Sequence, residues 1–215
     1  MRIAVLGTGS VGLTLGTGFA RLGHDVRLGS RTADNPKGLA WAAEVGGAAQ
    51  TSTFAEASAW AEVVVNATNG EASLEVLSGV ADVLAGKVLV DVANVLDFSA
   101  GFPPVAGVAL DDSLGEQLQR ALPDTSVVKA LNTLTADLML NPAALSAPSD
   151  ILLAGDDAAA KDLVRGLLVG AGWLSENIHD LGGISAARGT ELWLALWTRL
   201  MAPIGGPMFN LHIVR

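Results

Sequence analysis

The chain begins with the stretch RIAVLGTGSVG at residues 2–12, and the order of residue types in it predicts the fold. Residues 3–6 are apolar and strand-forming, and after the glycines the apolar residues follow helical spacing as far as Gly23. A second strand candidate, residues 26–28, leads into residues 29–32. Strand, glycine turn, helix and strand in this order predict the first unit of a dinucleotide-binding sheet.

Each glycine of the turn has a predicted role. Gly7 permits the tight turn off the strand, Gly9 lets a pyrophosphate approach the backbone, and Gly12 lets the helix pack closely on the sheet. Backbone N–H groups at the helix start then face the phosphates, where the helix dipole favours negative charge. The alternative is a glycine turn with a structural role alone. The predicted contact residues are Gly7, Thr8, Gly9, Ser10, Val11 and Gly12.

The end of the second strand indicates which dinucleotide binds. A site for NAD places an acidic residue there to bond the ribose 2′-OH, whereas this chain has Ser30, Arg31 and Thr32. Arg31 can pair with a 2′-phosphate and lay its guanidinium on the adenine, and the two hydroxyls add donors. Alternatively, Arg31 is a solvated surface side chain. The stretch predicts a preference for NADP.

Composition restricts the class of protein. The chain has 215 residues, half of them hydrophobic, which suits one core or one domain with a small appendage. The absence of cysteine excludes disulfides, thiol catalysis and thiolate metal sites, and the three histidines show no ligand spacing, so we expect no metal. The net charge of −9 argues against nucleic acid. Residues 3–20 are too interrupted by glycines and hydroxyls for a signal peptide, and we expect a cytoplasmic protein without membrane partners.

Strands and helices alternate along the rest of the chain, which predicts an α/β fold with a Rossmann-type, doubly wound, mainly parallel sheet and a small C-terminal α+β region. The predicted division is a dinucleotide-binding domain at residues 1–132 and a smaller region at 133–215. Further strands are predicted at residues 48–50, 62–67, 87–92, 127–130 and 150–155. Helices are predicted at residues 36–45, 53–58, 157–170 and 184–200. A further helix is predicted after residues 66–70 and extends to about residue 78.

Amide and hydroxyl side chains follow several predicted strands, and ligands of such sheets bind beyond the carboxyl ends of the strands. These groups can hold ribose and nicotinamide, although Asn and Thr also favour loop caps. The candidates are Asn66, Ala67, Thr68, Asn69, Ala93, Asn94 and Asn132. Lys129 is a weak candidate for a general acid, and the alternatives are a structural ion pair or a phosphate contact. Without a catalytic dyad, the pattern suits hydride transfer between stacked rings, which depends on positioning.

The C-terminal part carries two further patterns. Residues 192, 193, 196, 197 and 200 are Leu or Trp at helical spacing, which indicates a core face, a subunit contact or a wall for an aromatic ligand. Arg188 and Glu191 are placed to pair across one helical turn. Residues 96–112 form a linker rich in Gly and Pro, of the length that functional loops have, and residues 207–215 form an apolar, extended tail.

Over nearly its whole length the sequence resembles the NADP-dependent oxidoreductases of coenzyme F420. The resemblance is carried by residues 7–12, 23–26, 29–31, 128–133, 155–157 with Lys161, 187–188 with Glu191, and 209–211. It implies direct ring-to-ring hydride transfer between NADP(H) and the deazaflavin coenzyme F420, a C-terminal region that closes the site, and a homodimer.

The chain departs from the family at residues 66–70, NATNG, where archaeal members have an apolar loop with proline. The acceptor therefore stays open. The alternatives are an NADPH-dependent reductase of a flavin, ferric or small carbonyl acceptor, and a non-catalytic NADP-binding redox sensor.

Overall fold

The computed structural model describes residues 1–107 and 109–214, so that the last residue of the predicted tail, Arg215, lies outside the described residues. Within these ranges the strands are β1 (Arg2–Leu6), β2 (Asp25–Ser30), β3 (Gln50–Thr53), β4 (Val63–Asn66), β5 (Val88–Asp91), β6 (Leu96–Asp97), β7 (Val105–Ala106), β8 (Ser126–Ala130), β9 (Ile151–Gly155) and β10 (Ile178–Asp180). The α-helices are α1 (Ser10–Arg21), α2 (Pro36–Val45), α3 (Phe54–Trp60), α4 (Gly70–Ser78), α5 (Ala81–Leu84), α6 (Leu114–Ala121), α7 (Ala136–Met139), α8 (Ala158–Gly170) and α9 (Ala187–Ile204).

Eight strands form one sheet in the order β10-β9-β8-β5-β4-β1-β2-β3. From β3 to β8 all neighbours run parallel, in the strand order of a dinucleotide-binding fold, so the carboxyl ends of these strands share one edge. β9 pairs antiparallel with β8 and parallel with β10. β6 and β7 form a separate antiparallel ribbon above that edge. The predicted Rossmann-type, mainly parallel sheet is confirmed.

Helices cover both faces of the sheet because its strands are apolar on both sides. In β1, Ile3 and Val5 pack into one core with helices α1 and α8, whereas Ala4 and Leu6 pack into the other core with α3 and α6. All four side chains are fully buried. Continuous burial of this kind is what a parallel sheet between two helical layers requires.

Several predicted boundaries are wrong. The third strand, predicted at residues 48–50, lies at Gln50–Thr53, and the last helix begins at Ala187 after a 3-10 turn at Ile184–Ala186. Helix α6 and strand β10 were not predicted. β10 has three residues and depends on its pairing with β9, which local sequence does not reveal.

The proposed division at residue 132 stays a prediction. β9 and β10 come from the C-terminal part of the chain, but they extend the sheet of the N-terminal part. Among the described residues no helix combines the length and the apolar character needed to cross a bilayer.

Candidate functional site

A cleft of about 840 Å³ lies at the carboxyl edge of the sheet. It starts at the glycine turn after β1, passes the loops that follow β4, β5 and β8, and ends at helix α9. Nine of the predicted cofactor residues line it: Gly9, Ser10, Val11, Ala67, Thr68, Asn69, Ala93, Asn94 and Asn132. Trp197 also lines it, in agreement with one of the alternatives given for the Leu and Trp stripe, a wall for an aromatic ligand. The rest of the wall was not predicted, and it includes Glu71, Asp97, Phe98, Leu134, Met139 and Leu194.

The three glycines of the turn have different surroundings. Gly7 has a φ of 121°, which favours glycine, and a Cβ there would collide with the backbone oxygen of Ala67. A Cβ on Gly12 would collide with the carbonyl of Gly7. A Cβ on Gly9 would meet nothing within 4 Å. Gly7 and Gly12 are therefore required by the fold, whereas the space beside Gly9 belongs to the cleft.

Helix α1 begins at this turn without a side-chain cap. Its N-cap is Gly9, its first turn contains no acidic residue, and no side chain among the described residues accepts from its first N–H groups. The starts of α2, α4 and α8 are capped by Asn35, Asn69 and Asp157. Uncapped N–H groups at a helix start form a site for an anion. The geometry suits a pyrophosphate between α1 and the open side of Gly9.

The end of β2 lies beside this turn, since Gly7 N–H donates to Gly29 O at 2.8 Å. Arg31 and Thr32 are exposed there. Ser30 is buried, and its hydroxyl donates to Thr32 O. Arg31 is thus placed to meet a 2′-phosphate, while the predicted donor role of Ser30 competes with an internal hydrogen bond.

A buried polar network lies directly beneath the cleft. The sheet register places Asn66, Asp91 and Lys129 side by side on β4, β5 and β8. Lys129 Nζ lies 2.8 Å from Asp91 Oδ2 and 2.8 Å from Glu191 Oε1, and it also donates to Ala93 O. All three donors of the ammonium group are therefore used.

Asp91 and Asn66 extend the network to the loops that line the cleft. Asp91 Oδ1 accepts from Asn66 Nδ2 at 2.8 Å and from Ala93 N at 3.2 Å. Asn66 Oδ1 accepts from the backbone and hydroxyl of Thr68. The side chain of Asn66 is thus fully buried and orients the loop instead of lining the cleft.

Lys129 is fully buried and lies in an ion pair, which is one of the predicted alternatives to a general acid. Burial alone would lower the pKa of Lys129, but the carboxylates of Asp91 and Glu191 outweigh burial and raise the pKa above its usual value. The negative charge of the second carboxylate, Glu191, is also stabilised by the start of α6. Glu191 accepts hydrogen bonds there from Leu114 N at 2.9 Å and Gly115 N at 3.1 Å. A charged lysine held in this way does not give up a proton at neutral pH.

The predicted pair of Arg188 with Glu191 is wrong. Arg188 donates through Nε and Nη2 to both carboxylate oxygens of Glu116 on α6. Glu191 points inward to Lys129. Both side chains of α9 therefore find partners on other elements, and together they attach α9 to α6 and to the sheet.

Two amides fix the inner end of the cleft. Asn94 Nδ2 donates to Asn132 O at 2.8 Å, and Asn132 Nδ2 donates to Asn94 Oδ1 at 3.0 Å. These bonds fix the orientation of both amides. Asn132 Oδ1 is left buried without a partner in the described part of the chain. An unpaired acceptor of this kind, at the wall of a cleft, suits an amide donor on a ligand.

Helix α9 forms the far wall with Leu194 and Trp197. The predicted stripe of Leu and Trp is not its buried face, because Leu196 is half exposed whereas Thr190, Glu191, Leu194 and Thr198 are buried.

A second cleft of about 730 Å³ lies between α1, α2 and α7 and contains none of the predicted site residues.

Comparison with known proteins identifies the family. A family model described as NADP oxidoreductase, coenzyme F420-dependent, matches residues 2–95. An F420-dependent NADP reductase of Methanothermobacter marburgensis is 34% identical in an alignment 209 positions long that covers 89% of this chain and 88% of that protein. A crystal structure from Arthrobacter sp. FB24, described as a candidate F420-dependent NADP reductase, is 44% identical over 100% of both chains, with a TM-score of 0.94. Metalloreductase STEAP3 of Rattus norvegicus is 30% identical over 88% of this chain and 36% of that protein. The chain belongs to the family of coenzyme F420-dependent NADP oxidoreductases.

Proposed function

We propose that this oxidoreductase transfers a hydride directly between NADP(H) and the deazaflavin ring of coenzyme F420. The observation that carries the proposal is the continuous cleft that begins at the uncapped start of α1 and ends at the Leu194 and Trp197 wall. Two flat rings stacked in that cleft need apolar walls and amides, and those are what it offers. We take coenzyme F420 as the acceptor because the relatives are described as F420-dependent NADP reductases.

The residues present fit an NADP molecule. The open side of Gly9 and the first N–H groups of α1 would hold the pyrophosphate, and Arg31 the 2′-phosphate. Asn94 and Asn132 would hold the nicotinamide end, where Asn132 Oδ1 lacks a partner among the described residues. When bound, the nicotinamide supplies or accepts the hydride.

The chain's own contribution is to orient the rings and exclude water. Thr68, Ala93 and Asn132 follow the strands whose ends the buried network of Lys129 holds in register. Transfer requires the two reacting carbons to lie about 3–3.5 Å apart, and a rigid strand edge maintains such spacing. The side chains of Phe98, Met139 and Trp197 provide the apolar cover.

One feature of the cleft favours a second candidate acceptor. Its described lining contains two carboxylates, Glu71 and Asp97, but no lysine or arginine. Coenzyme F420 has an anionic tail, which must leave the cleft away from these groups, whereas a neutral ring or a cationic ferric complex would not be repelled. The similarity to a metalloreductase points the same way. The second candidate is therefore an NADPH-dependent reductase of a neutral or ferric acceptor.

An acceptor screen tests the proposal. Purified protein with NADPH would be given coenzyme F420, the neutral deazaflavin fragment without the tail, riboflavin, FMN and a ferric chelate. We expect the visible absorbance of oxidised F420 to disappear at a rate proportional to enzyme. If NADPH binds but no deazaflavin is reduced at acidic, neutral or alkaline pH, F420 is not the acceptor. Turnover of none of the five would favour a redox sensor.

The proposal includes three further properties, the first two of which the resemblance implied. The C-terminal region closes the cleft, two copies form a homodimer, and the protein works in the cytoplasm. The half-exposed Leu196 and Ile204 of α9 support the homodimer, since exposed apolar side chains on one helix suit a subunit contact.

A further inference from the structure

We propose that Asp150 clamps the C-terminal tail and thereby positions Trp197, through Phe209, in the wall of the cleft. The tail is defined here as residues 205–214. The inference rests on the proposed function in that Trp197 is taken to contact the acceptor ring. Asp150, His212 and Phe209 are then positioning residues, because none of them lines the cleft.

Asp150 contacts four consecutive residues of the tail. Its backbone N–H donates to Leu211 O at 3.0 Å, and its carbonyl accepts from Asn210 Nδ2 at 2.8 Å. Its carboxylate Oδ2 lies 2.9 Å from His212 Nδ1 and accepts from the N–H of Ile213. Asp150 itself is almost fully buried, whereas His212 and Ile213 are partly exposed, so the tail is held from its inner side.

The other carboxylate oxygen is bound from the sheet. Asp150 Oδ1 lies 3.0 Å from Nε2 of His179 on β10. Burial alone would raise the pKa of Asp150, but the N–H of Ile213 and the two imidazoles outweigh burial and lower the pKa below its usual value. Asp150 is therefore a carboxylate at neutral pH. It connects the edge of the sheet with the end of the chain.

The clamp reaches the cleft through a stacked aromatic pair. The rings of Phe209 and Trp197 lie 5.5 Å apart with an angle of 23° between their planes. Helix α9 ends at Ile204, and Gly205 in the left-handed region turns the chain back, so the tail returns along α9. Phe209 of the tail thus stacks on Trp197 of the helix.

Trp197 depends on this contact more than three of the other tryptophans depend on stacking. The indole N–H groups of Trp41, Trp173 and Trp193 each donate a hydrogen bond, which fixes their rings. Nε1 of Trp197 is buried but has no partner among the described residues. The orientation of its ring is therefore determined by packing, and Phe209 supplies a stacked contact.

Tryptophan fluorescence tests the clamp without any acceptor. His212→Ala and Phe209→Ala would be compared with wild type, each also in a Trp197→Phe background. We expect both variants to shift the emission spectrum, and we expect the shift to disappear when residue 197 is Phe. Met208→Ala is the matched control, since Met208 lies in the tail but is exposed and outside the clamp. A shift that persists without Trp197, or no shift at all, would overturn the proposal.

Kinetics then connect the clamp to the reaction, with whichever acceptor the protein turns over. We expect His212→Ala and Phe209→Ala to lower kcat/KM for the acceptor roughly tenfold, while the Kd for NADPH stays at the wild-type value. His212→Asn, whose amide N–H can replace Nδ1–H, should retain most of the activity. Equal loss in His212→Asn, or weakened NADPH binding that accounts for the whole effect, would contradict a positioning role.

If the protein reduces no deazaflavin, the fluorescence experiment still tests whether the tail positions Trp197. If the spectra behave as expected but acceptor kinetics do not change, Trp197 is positioned by the tail without contributing to the reaction, and the proposal fails at that step. Failure of the proposed function and failure of the positioning role therefore give different results.

Discussion

Replacement of Gly9 by valine separates cofactor binding from folding at the glycine turn. Gly9 has φ −79° and ψ 179°, an extended conformation that any L-residue adopts, and a Cβ there would meet no atom within 4 Å. Gly12 lies three residues further on in the same turn, but a Cβ there would collide with the carbonyl of Gly7. Gly9→Val and Gly12→Ala therefore form a matched pair.

The expected effects on stability differ between the two variants. At Gly9 the side chain reduces the freedom of the unfolded chain, which stabilises by about 0.4–1 kcal/mol. Valine is, however, a poorer N-cap than glycine by an amount of the same order, so the net change should be near zero. At Gly12 the backbone must shift, and overpacking of this kind costs about 1–3 kcal/mol.

For NADPH binding we expect the opposite order, with the larger effect in Gly9→Val and the smaller in Gly12→Ala. Valine at residue 9 occupies the space where we place the pyrophosphate and separates it from the first N–H groups of α1. Loss of one hydrogen bond to a charged group costs about 1.5–3 kcal/mol, so the Kd for NADPH should rise roughly 10- to 150-fold. Gly12→Ala should weaken binding only as far as it distorts the turn.

Urea unfolding gives the stability of each variant, and fluorescence titration gives its Kd for NADPH. The reasoning is refuted if Gly9→Val binds NADPH as tightly as wild type, because the pyrophosphate then lies elsewhere. It is also refuted if Gly9→Val is destabilised as much as Gly12→Ala, because the space beside Gly9 would then be needed by the fold.

Two further predictions concern charged side chains. Arg31→Ala should weaken NADPH binding by about 1.5–3 kcal/mol and leave NADH binding nearly unchanged. Titration of both cofactors measures this, and equal losses would exclude contact with the 2′-phosphate. Lys129→Met should lower the free energy of unfolding by about 3–5 kcal/mol, because Asp91 and Glu191 are left buried without their cation. Arg120→Met, which breaks an exposed pair with Asp112, is the control and should unfold near the wild-type urea concentration, and a similar loss in both variants would contradict the role of burial.

The parts of the fold that sequence predicted are those specified by local pattern. Strand β1 and the glycine turn were predicted because close neighbours in sequence determine them, and the helix predicted at residues 36–45 is α2, which Asn35 caps. The predicted family, enzyme class and fold are confirmed. Helix α6 was missed although Ser113 and Glu116 have the spacing of a capping box, since it has only eight residues and directly follows the Gly- and Pro-rich linker.

The interior of the site could not be read from local pattern. Lys129 is 38 residues from Asp91 and 62 from Glu191 in sequence, and only the sheet register and the packing of α9 bring the three together. The i to i+3 spacing of Arg188 and Glu191 suggested a pair, but buried partners on other elements compete with a weak surface interaction. Tertiary contacts of this kind override spacing along a helix.

The polar attachment of α9 has a consequence for the site. The buried face of α9 carries Glu191, Thr190 and Thr198, and Glu191 is bound both to Lys129 on the sheet and to the N–H groups at the start of α6. Apolar contacts tolerate sliding, whereas a buried carboxylate loses several kcal/mol if it leaves its partners, on the order of 3–5 for a broken pair. The helix is therefore held at one register relative to β8. Because Trp197 lies on this helix and Asn132 follows β8, the same ion pair sets the distance between the Trp197 wall and the end of the cleft formed by Asn94 and Asn132.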